Sequence, residues 1–260
     1  MISKNKKIII TGALGGIGLN LVDFFYKKNY VVIMVDNKST KEYLNILAQN
    51  PYLKEKLIYK KTDLSNPKLI KTLFSSIKNK FDKIDVLINC AAIQHIDKVD
   101  TFPPSKWEKI ININLSSCFY MIKYILPLMK KHKWGRIINI ASVHGQVASI
   151  NKSAYVASKH GLIGLTKAVA LETATLPITS NAICPGWVNT PLVLKQIDQK
   201  VKINNSNRNS EERNLLKSKH PNLKFISGNS IAALAYFLCS DEASEITGSS
   251  INIDGGWTSQ

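Results

Sequence analysis

The chain has 260 residues, 45% of them hydrophobic and 20% charged, enough for one large α/β domain with a substantial core. Its formal net charge is +17, yet Arg136, Arg208 and Arg213 are its only arginines and the lysines are spread along the whole length. Without clustered forked donors for phosphate, that charge reads as solvated surface, and nucleic acid is excluded as the expected partner. No apolar run is long enough to cross a bilayer, so no membrane role is expected either.

The start, Met1 to Gly12, places lysines before Lys7-Ile-Ile-Ile10. The apolar run is too short for a secretory leader, and a first strand over Lys7–Thr11 is predicted. Helical spacing follows through Ile17, Leu21, Val22 and Phe25. Tyr30–Asp36 is a continuous apolar strand, as in a parallel sheet covered on both faces. Lys56–Lys60 is the third strand, and Pro67 opens the next helix. Ile84–Cys90 is a fourth strand, and a long helix runs from Pro104 to about Lys131, bent near Pro127. Arg136–Ala141, Ile178–Cys184 and Ser250–Ile253 complete the strands, with helices after Ser153 and over Ser230–Ser240. Such alternation predicts a doubly wound parallel sheet whose ligand sits at the carboxyl ends of its strands. Thr190 to about Phe225 breaks the rhythm: it is polar, with Asn204-Asn-Ser-Asn-Arg-Asn-Ser210 at its centre, and reads as disordered or as a lid. Cys90, Cys118, Cys184 and Cys239 form no C-x-x-C pair and are expected as buried thiols in a reducing compartment, the cytoplasm.

Thr11-Gly-Ala-Leu-Gly-Gly-Ile-Gly18 lies between the first strand and first helix. Glycines there let a backbone approach a pyrophosphate at a helix N-terminus. Asp36, at the end of the second strand, is placed to accept the adenosine ribose hydroxyls and to repel a 2′-phosphate. That favours NAD, although nearby Lys38 softens the repulsion. Asp63, in Thr62-Asp-Leu64, either contacts adenine or is a helix-capping or turn aspartate. Tyr155 and Lys159 are four residues apart and share one helix face, where the ammonium favours the phenolate. By itself that spacing is common on solvated helices.

Thr11–Gly18, Asp63-Leu64, Asn89-Cys-Ala-Ala92, Asn114, Ser142, Tyr155-x-x-x-Lys159 and Pro185-Gly186 together resemble the short-chain dehydrogenase/reductase family over essentially the whole chain. Ala92 stands where that family usually has glycine. The resemblance implies a single Rossmann-type domain over 1–260 with seven strands in the order 3-2-1-4-5-6-7 and a helical substrate lid at about 190–225. It implies a catalytic tetrad. Tyr155 is the acid/base, Lys159 tunes it and holds the nicotinamide ribose, Ser142 binds the substrate oxygen, and Asn114 kinks the long helix and holds a relay water. It also implies NAD contacts from Thr11, Gly12, Leu14, Gly16, Ile17, Gly18, Asp36, Asp63, Leu64, Asn89, Ala91, Tyr155, Lys159, Pro185, Gly186, Val188 and Thr190.

The closer pattern within the family runs through Ala92-Ile-Gln-His95, His144-Gly145, Asn151-Lys-Ser-Ala-Tyr155, Cys184-Pro-Gly-Trp187, Lys195-Gln-Ile197 and Asp254-Gly-Gly-Trp257. It implies a small hydroxy or keto carboxylate, with interconversion of (R)-3-hydroxybutanoate and acetoacetate as the expected reaction. A 3-oxoacyl-carrier-protein reductase or a polyol dehydrogenase is the alternative. Gln94, Ser142, His144, Lys152, Tyr155, Trp187, Gln196 and Trp257 are then the substrate residues. Lys152 supplies charge, the glutamines supply amide donors, His144 can donate in either protonation state and adds attraction only if protonated, and the two tryptophans wall the methyl end. His95 is expected to be structural. No metal is expected in the site. A homotetramer is implied, with interfaces on the Trp107–Met129 helix and the helix after Ser153.

Overall fold

The computed structural model describes residues 6–50 and 56–259. Most of the leading segment with its lysine at position 4 therefore lies outside the described residues. Within them, seven strands form one parallel sheet: β1 (Lys7–Thr11), β2 (Val31–Asp36), β3 (Leu57–Lys61), β4 (Val86–Asn89), β5 (Gly135–Ile140), β6 (Ile178–Pro185) and β7 (Ser250–Ile253). Their order is β3-β2-β1-β4-β5-β6-β7, as the resemblance implied. The central strands are apolar on both faces because helices cover both. Ile8 and Ile10 pack into one core layer and Ile9 into the other.

The flanking helices are α1 (Gly16–Lys27), α2 (Thr40–Gln49), α3 (Pro67–Lys80), α4 (Pro104–Ile111), α5 (Ser117–Lys131), α6 (Ser153–Glu172), α7 (Pro191–Asn204), α8 (Arg208–Lys217) and α9 (Gly228–Leu238). α2 has no counterpart in the sequence reading. It buries no side chain fully, and its start is a capping box in which Ser39 and Glu42 satisfy each other's backbone N–H groups. The predicted long helix is one path interrupted by a π-helical turn over Asn112–Ser116, which joins α4 to α5. Pro127 stays inside α5.

The segment predicted as disordered or as a lid is a pair of helices, α7 and α8. Its asparagine-rich centre is capping chemistry. Asn205 takes the left-handed conformation (φ 46°) that ends α7, and the Asn207 side chain accepts from Ser210 N–H to start α8. Asn204 and Ser206 donate to the Glu211 carboxylate at 3.0 and 2.7 Å, tying the two helices. The expectation of four buried thiols fails at Cys90, which is only partly buried. β4 ends one residue earlier, and Cys90 opens onto the cleft above the sheet.

Candidate active site

The cleft lies where β1, β2 and β4 reach their carboxyl ends and has a volume of about 350 Å³. Its floor is the glycine turn between β1 and α1. Gly12 adopts φ +62°, and a side chain there would meet the Ala91 Cα at 2.7 Å. A Cβ on Gly18 would overlap the Gly12 carbonyl oxygen. Gly15, the N-cap of α1, brings no side-chain oxygen to the helix's free N–H groups. The result is a bare, positively polarised helix end on a turn packed too tightly for side chains at Gly12 and Gly18, which fits the pyrophosphate of a dinucleotide.

Of the residues assigned to the cofactor, Gly12, Leu14, Gly16, Ile17, Gly18, Asp36, Asp63, Leu64, Ala91, Tyr155, Lys159 and Thr190 line this cleft. The Asp36 carboxylate accepts from the N–H groups of Leu14 at 2.9 Å and Lys38 at 3.3 Å. Lys38 also lines the cleft and donates to the Leu14 carbonyl at 3.1 Å. Asp63 accepts from the backbone and hydroxyl of Ser65, which hold its carboxyl below the usual range. Asp63 thus closes a turn while lining the cleft, and it is Asn66 that caps α3.

Three predicted residues stand behind the wall. Thr11 is buried, and its hydroxyl accepts from Cys90 and Ala91 N–H at 3.0 and 3.2 Å. Asn89 donates to the Asn139 side chain at 2.8 Å. Asn114 is fully buried in the π-turn. Its amide both accepts from Ile93 N–H and donates to Ile93 C=O, each at 2.9 Å, and it also donates to the Ser158 hydroxyl at 3.2 Å. Each fixes the backbone that shapes the cleft.

A smaller pocket of about 70 Å³ adjoins the cleft, and Tyr155, Thr190 and Leu192 line both. It gathers Gln94, Ser142, His144, Lys152, Trp187, Gln196 and Trp257 from separate segments of the chain. Pro185, Gly186 and Val188, assigned to the cofactor from sequence, border this pocket and not the larger cleft. β6 runs beyond β4 and carries them past the cofactor end.

Ser142 follows β5. Its hydroxyl lies 3.4 Å from His144 Nδ1 and accepts the His144 backbone N–H at 3.2 Å. Tyr155 and Lys159 sit on α6 as the i, i+4 spacing requires. The Lys159 ammonium lies 5.6 Å from the Tyr155 ring centre and donates to the Ile140 carbonyl at 2.7 Å, which aims it from beneath. Lys152 is 7% exposed. Its ammonium donates to Gln196 Oε1 at 3.4 Å and lies 4.5 Å over the Trp187 ring. No carboxylate among the described residues pairs with it. Burial, reinforced by Lys200, pulls its pKa down to about 8.

The protonation state of His144, open in the sequence, is decided by its surroundings. Burial, with Lys152 next in effect, pushes its pKa down to about 3, so the ring is neutral at physiological pH. Ser149, whose hydroxyl is 2.9 Å from His144 Nε2, escaped the sequence reading. A serine in a short loop carries no local signal of the ring it will meet. His95 is half-exposed, 3.8 Å from Asp97 and edge-on to Phe102, outside both pockets, in keeping with a structural role.

Residues 6–201 match the family model described as short chain dehydrogenase. The chain belongs to the short-chain dehydrogenase family. Like its relatives, this short-chain dehydrogenase is an oxidoreductase built to use a nicotinamide cofactor. It is 40% identical over 256 residues to the D-beta-hydroxybutyrate dehydrogenase of Rhizobium meliloti, covering 98% of this chain and 99% of that one. Among solved structures, a 4-hydroxyisoleucine dehydrogenase complexed with NADH is 34% identical with a TM-score of 0.87, covering 98% of this chain and all of that one. The protein ElxO with NADP bound is 29% identical, also at a TM-score of 0.87 and over 98% and 100% of the two chains. This short-chain dehydrogenase thus resembles both an NADH-bound and an NADP-bound structure. Among its described residues no helix is long and apolar enough to cross a membrane, and no cluster of three His, Cys, Asp or Glu residues could hold a metal.

Proposed function

We propose that the protein interconverts (R)-3-hydroxybutanoate and acetoacetate with NAD as its cofactor. The observation that carries this reading is Lys152: a buried ammonium with no carboxylate partner among the described residues, in the pocket that also holds Ser142 and Tyr155. A buried charge without a counter-ion is costly, and a substrate carboxylate supplies the missing partner. The pocket is small, about 70 Å³, in keeping with a small acid. The Gln94 side-chain N–H₂ and the Trp187 indole N–H are both buried without an acceptor, two more donors for an anion.

Residues of the glycine turn, Asp36 and Lys159 would hold the cofactor. When bound, the nicotinamide exchanges a hydride with the substrate carbon. Ser142 hydrogen-bonds the reacting oxygen and stabilises its charge as it changes. Tyr155 removes the hydroxyl proton in oxidation and returns it in reduction. His144, neutral, presents Nδ1 beside the Ser142 hydroxyl and orients it. Asp36 favours NAD by repelling a 2′-phosphate, while its carboxylate is steadied by Leu14 and Lys38 N–H. The whole chain acts as one unit, with 190–225 as its lid, in the cytoplasm. A homotetramer is supported by exposed Trp107, Phe119 and Leu171 on α4, α5 and α6, and light scattering checks it.

The deciding assay follows absorbance at 340 nm with NAD and NADP against a panel of hydroxy acids and polyols. Fastest turnover is expected with NAD and (R)-3-hydroxybutanoate. Faster turnover with NADP or with a polyol overturns the assignment.

A further inference from the structure

Trp187 and Trp257 reach the acid pocket from distant segments, one just after β6 and one in the C-terminal turn. A single buried side chain sits beneath both. His220, just beyond α8, is 0% exposed. Its Nε2 accepts the backbone N–H of Trp187 at 2.8 Å. That bond leaves the ring's proton on Nδ1, which donates to the Lys224 carbonyl at 2.8 Å. The ring centre lies 5.8 Å from that of Trp257, which in turn packs 5.5 Å from Trp187 and 5.3 Å from His144.

The surroundings leave the imidazole little freedom. A Cβ on Gly186 would fall 2.5 Å from Nε2, so only glycine lets the ring approach the chain there. The His220 backbone is tied on both sides, its N–H to Leu216 C=O at 2.7 Å and its C=O to Leu223 N–H at 2.8 Å. Four residues after Asn222, Ile226 N–H donates to the Trp187 carbonyl at 2.8 Å, and Val188 and Ile226 form a parallel bridge. Both backbone polar groups of Trp187 are therefore satisfied by the segment that returns from the lid. An ordinary loop tryptophan would meet solvent or its own neighbours.

We propose that His220 is a positioning residue of the acid pocket. It locks the return of the α7–α8 lid to the Trp187–Trp257 wall, so the pocket takes its shape only when that return is docked. Because α7 also brings Gln196 to Lys152, lid docking and carboxylate recognition become one event. This inference rests on the reading of the pocket as an acid site. His220 itself touches neither of the reacting groups.

Two substitutions separate positioning from bulk. Leucine fills the space but leaves Trp187 N–H and Lys224 C=O without partners. Glutamine carries an acceptor and a donor on one amide, as the imidazole does on its two nitrogens. For His220→Leu the KM for (R)-3-hydroxybutanoate is expected to rise about tenfold or more, as loss of buried partners implies. The KM for NAD should change less than about twofold, since the glycine turn lies on the far side of the sheet's switch point. Hydrogen exchange at the Trp187 amide should speed up by about tenfold. His220→Gln should restore both quantities to within about threefold of the parent enzyme.

Unchanged exchange and unchanged KM in His220→Leu overturn the proposal. So does an equal rise of both KM values in the two variants, the mark of general loosening. If His220→Leu does not fold, ¹⁵N spectra of the parent protein decide. A neutral ring protonated on Nδ1 is expected, and a proton on Nε2 overturns the lock. Should the parent enzyme not turn over 3-hydroxybutanoate at all, the acid-site reading falls, while amide exchange still shows whether His220 holds the wall.

Discussion

The two halves of the site recognise by different means. The cofactor cleft is made largely of backbone: a turn of glycines, a bare helix end, and an aspartate steadied by two backbone N–H groups. The acid pocket is made of side chains, with a buried ammonium, a neutral imidazole, two amides and two indoles. The first selects a shape shared by every dinucleotide. On the proposed reading, the second selects a charge at a fixed distance from a reacting oxygen. Tyr155, which lines both, is where the two meet. Substitutions should therefore divide by half, and the division is measurable.

The largest effect belongs to the shared residue. Tyr155→Phe should lower kcat by about 10²- to 10⁴-fold, the span of general acid–base catalysis, with cofactor affinity by fluorescence titration nearly intact. A fully active variant refutes the assignment. On the acid side alone, Lys152→Met should raise the KM for 3-hydroxybutanoate by about 10²-fold, as for a charge-assisted hydrogen bond, and leave the KM for NAD unmoved. In the parent enzyme that charge is present below the Lys152 pKa of about 8 and is lost above it. The KM for the acid should climb as pH rises through that value, and the climb should vanish in Lys152→Met. On the cofactor side, Gly18→Ala drives a methyl group into the Gly12 carbonyl. It should raise the KM for NAD by about tenfold or more, a strain of the size seen for overpacked sites, and spare the acid once NAD is saturating. Gln196→Ala is the mildest, about fivefold on the KM for the acid, one neutral hydrogen bond's worth. Equal effects on both KM values would count against a lid that closes on the acid alone.

The same division explains what the sequence revealed. The glycine turn and Asp36 could be read because backbone recognition leaves a local signature of spacing after a strand. The sheet order followed from alternation of strand and helix together with family resemblance. α2 escaped because its faces are nearly all wet, although Ser39-x-x-Glu42 was a usable start signal. The asparagine run at 204–210 looked like a break because asparagine favours turns. It is one, only two residues wide between the end of α7 and the cap of α8. The acid pocket came from resemblance, since nothing local tells a buried lysine from a solvated one. Burial also decides the charge of His144, which the sequence left open. Ser149 and His220 were invisible for the same reason, their partners being loop neighbours whose meeting only the fold decides.

The lone ammonium of Lys152 also has a thermodynamic consequence. Its pKa lies at about 8 in the folded chain and near 10.5 in the unfolded one, so the unfolded chain binds the proton more tightly. Holding the charge inside then costs on the order of 3 kcal/mol below pH 8, a penalty that fades as pH rises toward 10.5. If the substrate is the proposed carboxylate, its binding offsets that cost by mass action and makes it a folding ligand as well as a reactant. Lys152→Met should melt at a higher temperature than the parent at neutral pH while recognising its acid far less well. On that reading the empty protein is left under tension, and the acid is the counter-ion that the sequence itself omits.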